Sequence, residues 1–459
     1  MKQVDAAVIG GGVLGCFAAR SLRKWNISVA ILDAAGDVCT GVTRANTAIV
    51  YPGYDNKPGS LKAEMTVRGN GKFGSLCEEL EVPFSRCGSL MVSYGPGADR
   101  VLRKKYDAGL QSGVPGLALI SGPQANDMEP LLAPGVTSAL YAPSTGTVNP
   151  WQLGIAAFEN ALHNGAQPLL NTEVLGIQPS GGGYIIETSG EPIACRVILN
   201  CAGLNADKVQ ELLFPPSVRL IPTGADFFVL DKRAPAPSRI IFQESEEKGK
   251  GVTAVPTVEG NLLLGPSQRP LEGRPWATTF GGMDFLREAT AQVLPGVDLG
   301  QVIRSFASVR PNPHRVIWKD GAYVPDGKSI GSFVIENPAP GFYSLIGIKT
   351  PGLTCADELG THLAKQAAAY LDAAPNPGFD PRRRAITRWK NEPDYHQIIC
   401  QCEHITRGQI LEAIARGAVT VDGVKRRVGS GMGRCQGSRC AWEIVKILKE
   451  TGAAPDPLF

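Results

Sequence analysis

Two groups of residues in this sequence have the types and spacing that chemistry requires. The first is Val8-Ile9-Gly10-Gly11-Gly12-Val13-Leu14-Gly15, a G-x-G-x-x-G turn between the apolar strand Ala6–Ile9 and a helical run through Cys16–Leu22. A second apolar strand, Val29–Leu32, ends on Asp33. Gly10 permits the tight turn, Gly12 lets backbone N–H groups approach a pyrophosphate, and Gly15 lets helix pack closely on strand. The helix N-terminus favours phosphate charge, and Asp33 stands where a ribose hydroxyl needs an acceptor. A glycine turn alone is common without a ligand. Strand, turn, helix and carboxylate together point to a bound dinucleotide.

The second group is Cys400-Gln401-Cys402, then 32 residues, then Cys435-Gln436-Gly437-Ser438-Arg439-Cys440. Between the pairs, Thr406 and Gln409 form a capping box that opens a helix through Ile410–Ala415, closed at Gly417. A further helix is expected at about Val421–Val428, and Gly429–Gly433 makes a tight loop whose N–H groups can face cluster sulfurs. Two cysteine pairs flanking a helical hairpin can converge on one site. A structural four-cysteine zinc site competes with an iron–sulfur cluster, although C-x-C is shorter than the usual zinc knuckle, and unligated thiols are the third reading. The other seven cysteines (Cys16, Cys39, Cys77, Cys87, Cys195, Cys201 and Cys355) lie among apolar or small residues and read as packing.

The elements that position these groups follow from periodicity. Residues 86–147 alternate short apolar runs with Gly/Pro turns and read as strands and loops of a separate layer. Trp151–Asn164 is helical, 172–177 is a strand carrying Val174, and Gly181–Gly183 turns a hairpin. A buried strand, Arg196–Asn200, ends on the small residues Cys201-Ala202-Gly203. From Leu220 the pattern returns to alternating strands, read as an antiparallel sheet with one face towards a ligand cavity. Strands at 331–336 and 341–347 lead back to Gly347, then Pro351-Gly352-Leu353-Thr354 and a helix over Cys355–Leu371. A glycine turn before a helix aims N–H groups and the positive dipole end at whatever lies above it. Residues 374–395 have linker composition.

The 459 residues allow two or three domains, and the net charge of +3 gives no case for nucleic acid. The charge is uneven: residues 381–459 hold 14 Lys/Arg against 8 Asp/Glu. Such a tail suits an acidic partner, with Lys425, Arg426, Arg427, Arg434 and Arg439 as guides, or is simply a solvated basic face. No apolar run reaches spanning length and the first strand starts within four residues of Met1, so a cytoplasmic protein with reduced thiols is expected.

From Thr43-Arg44-Ala45-Asn46-Thr47-Ala48 onwards the sequence resembles the D-amino-acid-oxidase-type flavoproteins. Lys57–Ala63 and the helix through Arg68-Gly69-Asn70 are similar to their glycerol-3-phosphate and 2-hydroxyglutarate branch. Tyr51-Pro52 departs from the His-Ala often found there, so no family histidine carries over. The resemblance implies FAD, held by Gly10, Gly12, Val13, Leu14, Gly15, Asp33 and Ala34 at its adenosine and pyrophosphate side. Thr43 to Thr47 would run towards the ring. Val174, Cys201, Ala202, Gly203, Gly347, Gly352, Leu353 and Thr354 complete the assignment. The tail, through Gly431-Met432-Gly433-Arg434-Cys435-Gln436-Gly437, closely resembles the bacterioferritin-associated-ferredoxin-type domain. That resemblance implies a [2Fe–2S] cluster on Cys400, Cys402, Cys435 and Cys440.

A substrate that gives two electrons to flavin needs an anchored polar tail and a proton acceptor. Arg310 closes the apolar run Phe306–Val309, is followed by Pro311, and is the expected two-pronged anchor for a carboxylate or phosphate. The family commonly places an arginine there. His314 is the expected proton carrier, Lys349 resembles the lysine of a related turn in membrane-bound glycerol-3-phosphate dehydrogenases, and Tyr54 is a weaker candidate. The expected fold is α/β. A discontinuous Rossmann-like FAD domain (1–85, 148–219, 325–373) carries an inserted antiparallel-sheet substrate domain (86–147, 220–324). A linker (374–395) then leads to a small helical [2Fe–2S] domain (396–459). The expected function is an FAD-dependent dehydrogenase of a small anionic substrate that passes electrons through the cluster to a protein acceptor or partner subunit, either a second flavoprotein or a small iron–sulfur protein. The alternatives are an amino-acid or secondary-amine dehydrogenase subunit of a heteromeric complex, and a non-catalytic electron-transfer subunit.

Overall fold

The computed structural model describes residues 1–244, 251–271 and 276–453. Its central sheet is laid down by the short apolar runs. Gln167–Leu169, Val29–Leu32, Ala6–Ile9, Val197–Asn200 and Phe342–Ile346 pair in that order, all parallel, and Val334–Ala339 adds an antiparallel edge. Four of these strands are buried at every residue, as a parallel sheet covered on both faces requires. Helices Val13–Leu22, Pro150–His163 and Ala356–Leu371 cover one face, with Phe17, Leu22, Phe158, Leu359 and Leu363 in its core. A Cβ at Gly360 would sit 2.7 Å from the Phe17 carbonyl, so this glycine lets the first and last helices touch. A four-stranded sheet containing the hairpin Val174–Ser180 and Gly183–Thr188 covers the other face through Ile177, Tyr184, Ile186 and Ile193.

A nine-stranded sheet forms the second layer, with Thr223–Leu230 paired to Val302–Arg310 along its length. It is antiparallel except where Ile240–Gln243 meets Ser89–Ser93 in parallel, the seam joining its two sequence segments. The stretch read as strands and loops also contains helices Pro96–Gln111 and Gly122–Met128. Pro96–Gln111 is a polar helix that buries only Gly97, Ala98, Leu102 and Gly109. The strand-rich second segment likewise contains a helix, Phe280–Val293.

Residues 374–395 are a fitted strap along part of their length. Asn160 Nδ2 donates to the carbonyls of Asp380 and Arg382, both at 3.0 Å. Arg20 donates to the Pro381 carbonyl, and Arg383 pairs with Glu159 at 2.7 Å. Linker composition carries no trace of these backbone acceptors.

The tail contains the capping box at Thr406 and Gln409 and helices Arg407–Ala415, Val421–Val428 and Ala441–Glu450, closed over Ile410, Val424, Ile444 and Leu448. It docks through charge. Arg427 grips Asp37 with two bonds of 2.8 and 2.9 Å, and Arg426 adds a third at 2.7 Å, all three residues being buried. The basic tail is therefore not a free partner surface as expected, since part of its charge faces the body of this chain. Arg426 and Arg427 are spent on the body of this chain, and burial, with Arg304 nearby, lowers Lys425 to about 8. Of the five expected guides, Arg434 and Arg439 remain exposed. Among the described residues, no helix is long and apolar enough to cross a membrane.

Candidate active site and cluster site

A cavity of about 670 Å3 runs from the edge of the parallel sheet to the second layer. Asp33, Ala34 and Ala35 line one end, and Gly10, Gly12, Val13 and Leu14 its floor. Thr43, Ala45, Asn46 and Thr47 form one flank, and Cys201, Ala202 and Gly203 the other. The far end is closed by Tyr51, Phe242, Ser308, Arg310 and the turn Ile348–Leu353, which carries Lys349 and Gly352.

The floor has the chemistry of a phosphate cradle. Gly10 has φ of 105°, and a Cβ there would lie 2.5 Å from the Cys201 carbonyl. A Cβ on Gly12 would meet only Thr43 Oγ1, at 3.5 Å, because that side opens onto the cavity. The helix starting at Val13 has no acid in its first turn and no cap from Gly12; Thr43 Oγ1 accepts from Val13 N at 3.0 Å, and the positive dipole end faces the cavity, where an anion is favoured. Asp33 accepts from Gly11 N at 2.6 Å and Ala35 N at 2.8 Å, so the carboxylate is fixed while each oxygen keeps a lone pair for a ribose hydroxyl. Burial raises its pKa despite those two bonds. The residues fit a flavin dinucleotide.

At the far end Arg310 opens into the cavity among protein walls, and burial lowers its pKa while Tyr51 raises it. Among the described residues its guanidinium has no acidic partner. Lys349 Nζ donates to Ser329 Oγ at 2.8 Å and Asn312 Oδ1 at 3.3 Å. Burial first, then the positive charges of Arg310 and Lys62, bring Lys349 down to about 8.

Other expected site residues stand elsewhere. His314 pairs with Arg219 in a separate three-stranded sheet, with Nδ1 3.3 Å from the Gly327 carbonyl, and does not line the cavity. Tyr54 is buried in the core with Met91 and Leu102, and burial raises its hydroxyl pKa well above the ordinary value. Both are expected from residue type alone, and strand register and packing send them away from the cavity. Gly15 packs against the turn, since a Cβ there would fall 1.8 Å from the Gly10 carbonyl. Val174 opens the hairpin strand and packs against the core between the two sheets, and Gly347 abuts Pro313 and Leu220. Thr354 Oγ1 accepts from Tyr51 N at 2.9 Å, bracing the wall from behind. The Arg44 guanidinium lies 5.1 Å from the Trp276 ring centre, in the field of Asp422, Arg426 and Arg304. Tyr51, Phe242, Ser308 and Trp276 line the cavity although the sequence assigns them no role. Tyr51 is visible as a departure from the family pattern, and the others carry no local signal.

In the tail, Cys402 Sγ and Cys435 Sγ lie 3.5 Å apart, while Cys400 and Cys440 are buried together in the tail core. The four thiols are near enough for their charges to interact, Cys402 with Cys435 and Cys400, and Cys440 with Cys400 and Cys435. Burial raises the Cys435 thiol pKa, but N–H groups of Gly437 and Arg439, with help from Cys402 and Ser438, outweigh it and lower the pKa. A Cβ at Gly433 would sit 2.4 Å from Cys402 Cβ, so the loop needs glycine to close over the site. These residues fit a thiolate-held cluster.

The family profile described as "FAD dependent oxidoreductase" matches residues 5–366, and that of the "BFD-like [2Fe-2S] binding domain" matches residues 398–450. The chain belongs to the FAD-dependent oxidoreductases. It is 37% identical to a glycerol 3-phosphate dehydrogenase of Caloramator mitchellensis, over 97% of this chain and 93% of that one. To the human mitochondrial L-2-hydroxyglutarate dehydrogenase it is 31% identical over 58% of this chain and 61% of that one. The FAD-bound L-alpha-glycerophosphate oxidase of Mycoplasma pneumoniae superposes with a TM-score of 0.74 at 22% identity, covering 85% of this chain and all of that one, a likeness of fold. This flavoenzyme is thus an FAD-dependent oxidoreductase with a [2Fe–2S] domain, similar to glycerol-3-phosphate and 2-hydroxy-acid dehydrogenases.

Proposed function

We propose that the enzyme dehydrogenates a small anionic alcohol, glycerol 3-phosphate or a 2-hydroxy acid, and delivers the electrons through its tail to an outside protein acceptor. The observation that carries this reading is Arg310, a guanidinium facing the cavity with no acidic partner among the described residues, whose charge helps to lower the pKa of the neighbouring Lys349. A site made for an amine without an acidic group has no use for this buried guanidinium, whereas a phosphate or carboxylate is stabilised by it. The near full-length similarity to a glycerol 3-phosphate dehydrogenase supports the phosphate.

When bound, FAD takes a hydride and the [2Fe–2S] cluster takes single electrons. Arg310 holds the anionic end in its planar donor fork and turns the carbinol carbon towards the Ile348–Leu353 turn. Lys349 Nζ, fixed by Ser329 and Asn312 and poised near 8, takes the hydroxyl proton. Tyr51 and Phe242, with ring centres 6.1 Å apart, wall the end of the cavity and limit water.

The test is anaerobic mixing with glycerol 3-phosphate, L-2-hydroxyglutarate and L-proline in parallel. Rapid flavin bleaching by one of the two anions supports the reading. Bleaching by the amino acid and neither anion overturns it.

A further inference from the structure

The docked tail presents one edge of its cysteine set to the body. Cys400 and Cys440 are 1% exposed, inside the tail core, whereas Cys402 and Cys435 are partly open. The residue following each open cysteine is tied to the second layer of the body. Glu403, next to Cys402, pairs with Lys232 at 2.7 Å. Gln436, next to Cys435, accepts from Arg304 Nη1 at 3.2 Å. Gln436 has φ of 49°, a left-handed conformation that costs a non-glycine residue energy. Its amide N–H groups hold that shape by donating to the carbonyls of Met432 and Gly433, at 3.1 and 3.0 Å. With the amide nitrogen so engaged, the side-chain oxygen faces Arg304.

On the body side the contact leads back to the cavity. Arg304 is on the same strand as Ser308 and Arg310, which line it. Arg44 ends the short helix Val42–Arg44, which packs against the strand that carries Arg304, and its guanidinium rests over Trp276, whose ring lines the cavity. Each end of this series has a redox site of its own.

We propose that Trp276, Arg44, Arg304 and Gln436 are positioning residues that hold the Cys402/Cys435 edge as the port through which the cluster receives electrons from the flavin. This rests on the electron order proposed above. The pair of electrons taken from substrate leaves the flavin one at a time. A cluster held by Cys400, Cys402, Cys435 and Cys440 would take each electron at one ferric ion and pass it to a one-electron protein acceptor before the next follows. The substrate's hydroxyl proton goes to Lys349, and the flavin releases its own proton to solvent as it is reoxidised.

The test needs no substrate. Under anaerobic conditions a light pulse in the presence of EDTA reduces bound flavin directly, and the dark appearance of the reduced-cluster EPR signal then reports the internal transfer. In wild type the cluster signal grows as flavin absorbance returns. Arg304→Ala/Gln436→Ala should slow that growth about tenfold, the equivalent of about 1.4 kcal/mol in the aligned geometry. FAD, iron and sulfide contents and the oxidised spectrum should match wild type, and Arg304→Lys should recover part of the rate. Trp276→Leu tests the cavity end separately and should also slow transfer. Unchanged transfer in both variants, with contents intact, overturns the port while leaving the electron order standing. Failure of wild type to reduce its cluster from flavin overturns the electron order and the port with it.

Discussion

Replacing Asp37 by leucine should release the tail from the body. Asp37 is 5% exposed and receives three charge-assisted bonds of 2.7–2.9 Å from Arg426 and Arg427, themselves 7% exposed. Removing the carboxylate strands two buried guanidiniums, and breaking a buried pair in this way costs about 3–5 kcal/mol. Replacing all three residues by apolar ones removes the stranded charge as well, a change that is neutral or stabilising in other buried ion clusters. Thermal unfolding followed by cluster absorbance reads the tail, and flavin fluorescence reads the body. Asp37→Leu should bring the cluster transition well below the flavin transition, and Asp37→Leu/Arg426→Leu/Arg427→Met should bring it back. A loss below about 1 kcal/mol for the single variant, the worth of an exposed pair, would refute the clamp. The pH dependence has a fixed sign. Burial raises the Asp37 pKa, but Arg427 and Arg426 outweigh it and hold the carboxyl below its ordinary range. Stability from a lowered pKa is complete above the unfolded value of about 3.9 and is lost as pH falls through the folded value. Docking should therefore survive mild acid and fail only well below about pH 3.9.

Gly12→Val should yield folded protein without FAD, because its side chain enters the cavity and meets only Thr43 on the way. Gly15→Ala should impair folding itself, with its Cβ 1.8 Å from the Gly10 carbonyl, and FAD content against melting temperature separates the two cases. Arg310→Lys loses the planar fork, and the apparent KM for the anionic substrate should rise about tenfold; unchanged kinetics would move the anchor elsewhere. As a proton acceptor with a pKa of about 8, Lys349 must be neutral, so kcat/KM should climb with pH and level off above about 8. Lys349→Met should remove that limb, and a flat wild-type profile from acid to alkaline pH would deny lysine the role.

Much of this arrangement is legible in the chain because its signals are local. The glycine turn, the strand ending at Asp33, and the Thr406/Gln409 capping box each need only a few neighbouring residues to be read. The four cysteines are readable for the same reason, since loop glycines and spacing lie within one short module. What escapes depends on contacts between distant segments. A count of basic residues does not distinguish Arg427 clamped on Asp37 from Arg434 in solvent. Strand register, which composition does not fix, sends His314 into an outer sheet and Arg310 into the cavity. The strap at 374–395 is held by carbonyls meeting Asn160, and carbonyls are common to every residue. Tyr51 stands out in the sequence as a departure from the family, yet only the fold shows it beside Arg310 at the end of the cavity.

The most direct test of the account is a single anaerobic turnover in wild type and Cys435→Ser, followed by stopped-flow absorbance with glycerol 3-phosphate as the reductant. Flavin should bleach at the same rate in both proteins. The cluster signal should follow in wild type alone, and steady-state transfer to a protein acceptor should collapse in the variant. A variant that keeps its FAD and a folded body but cannot reduce its flavin would place the cluster ahead of the chemistry and contradict the account.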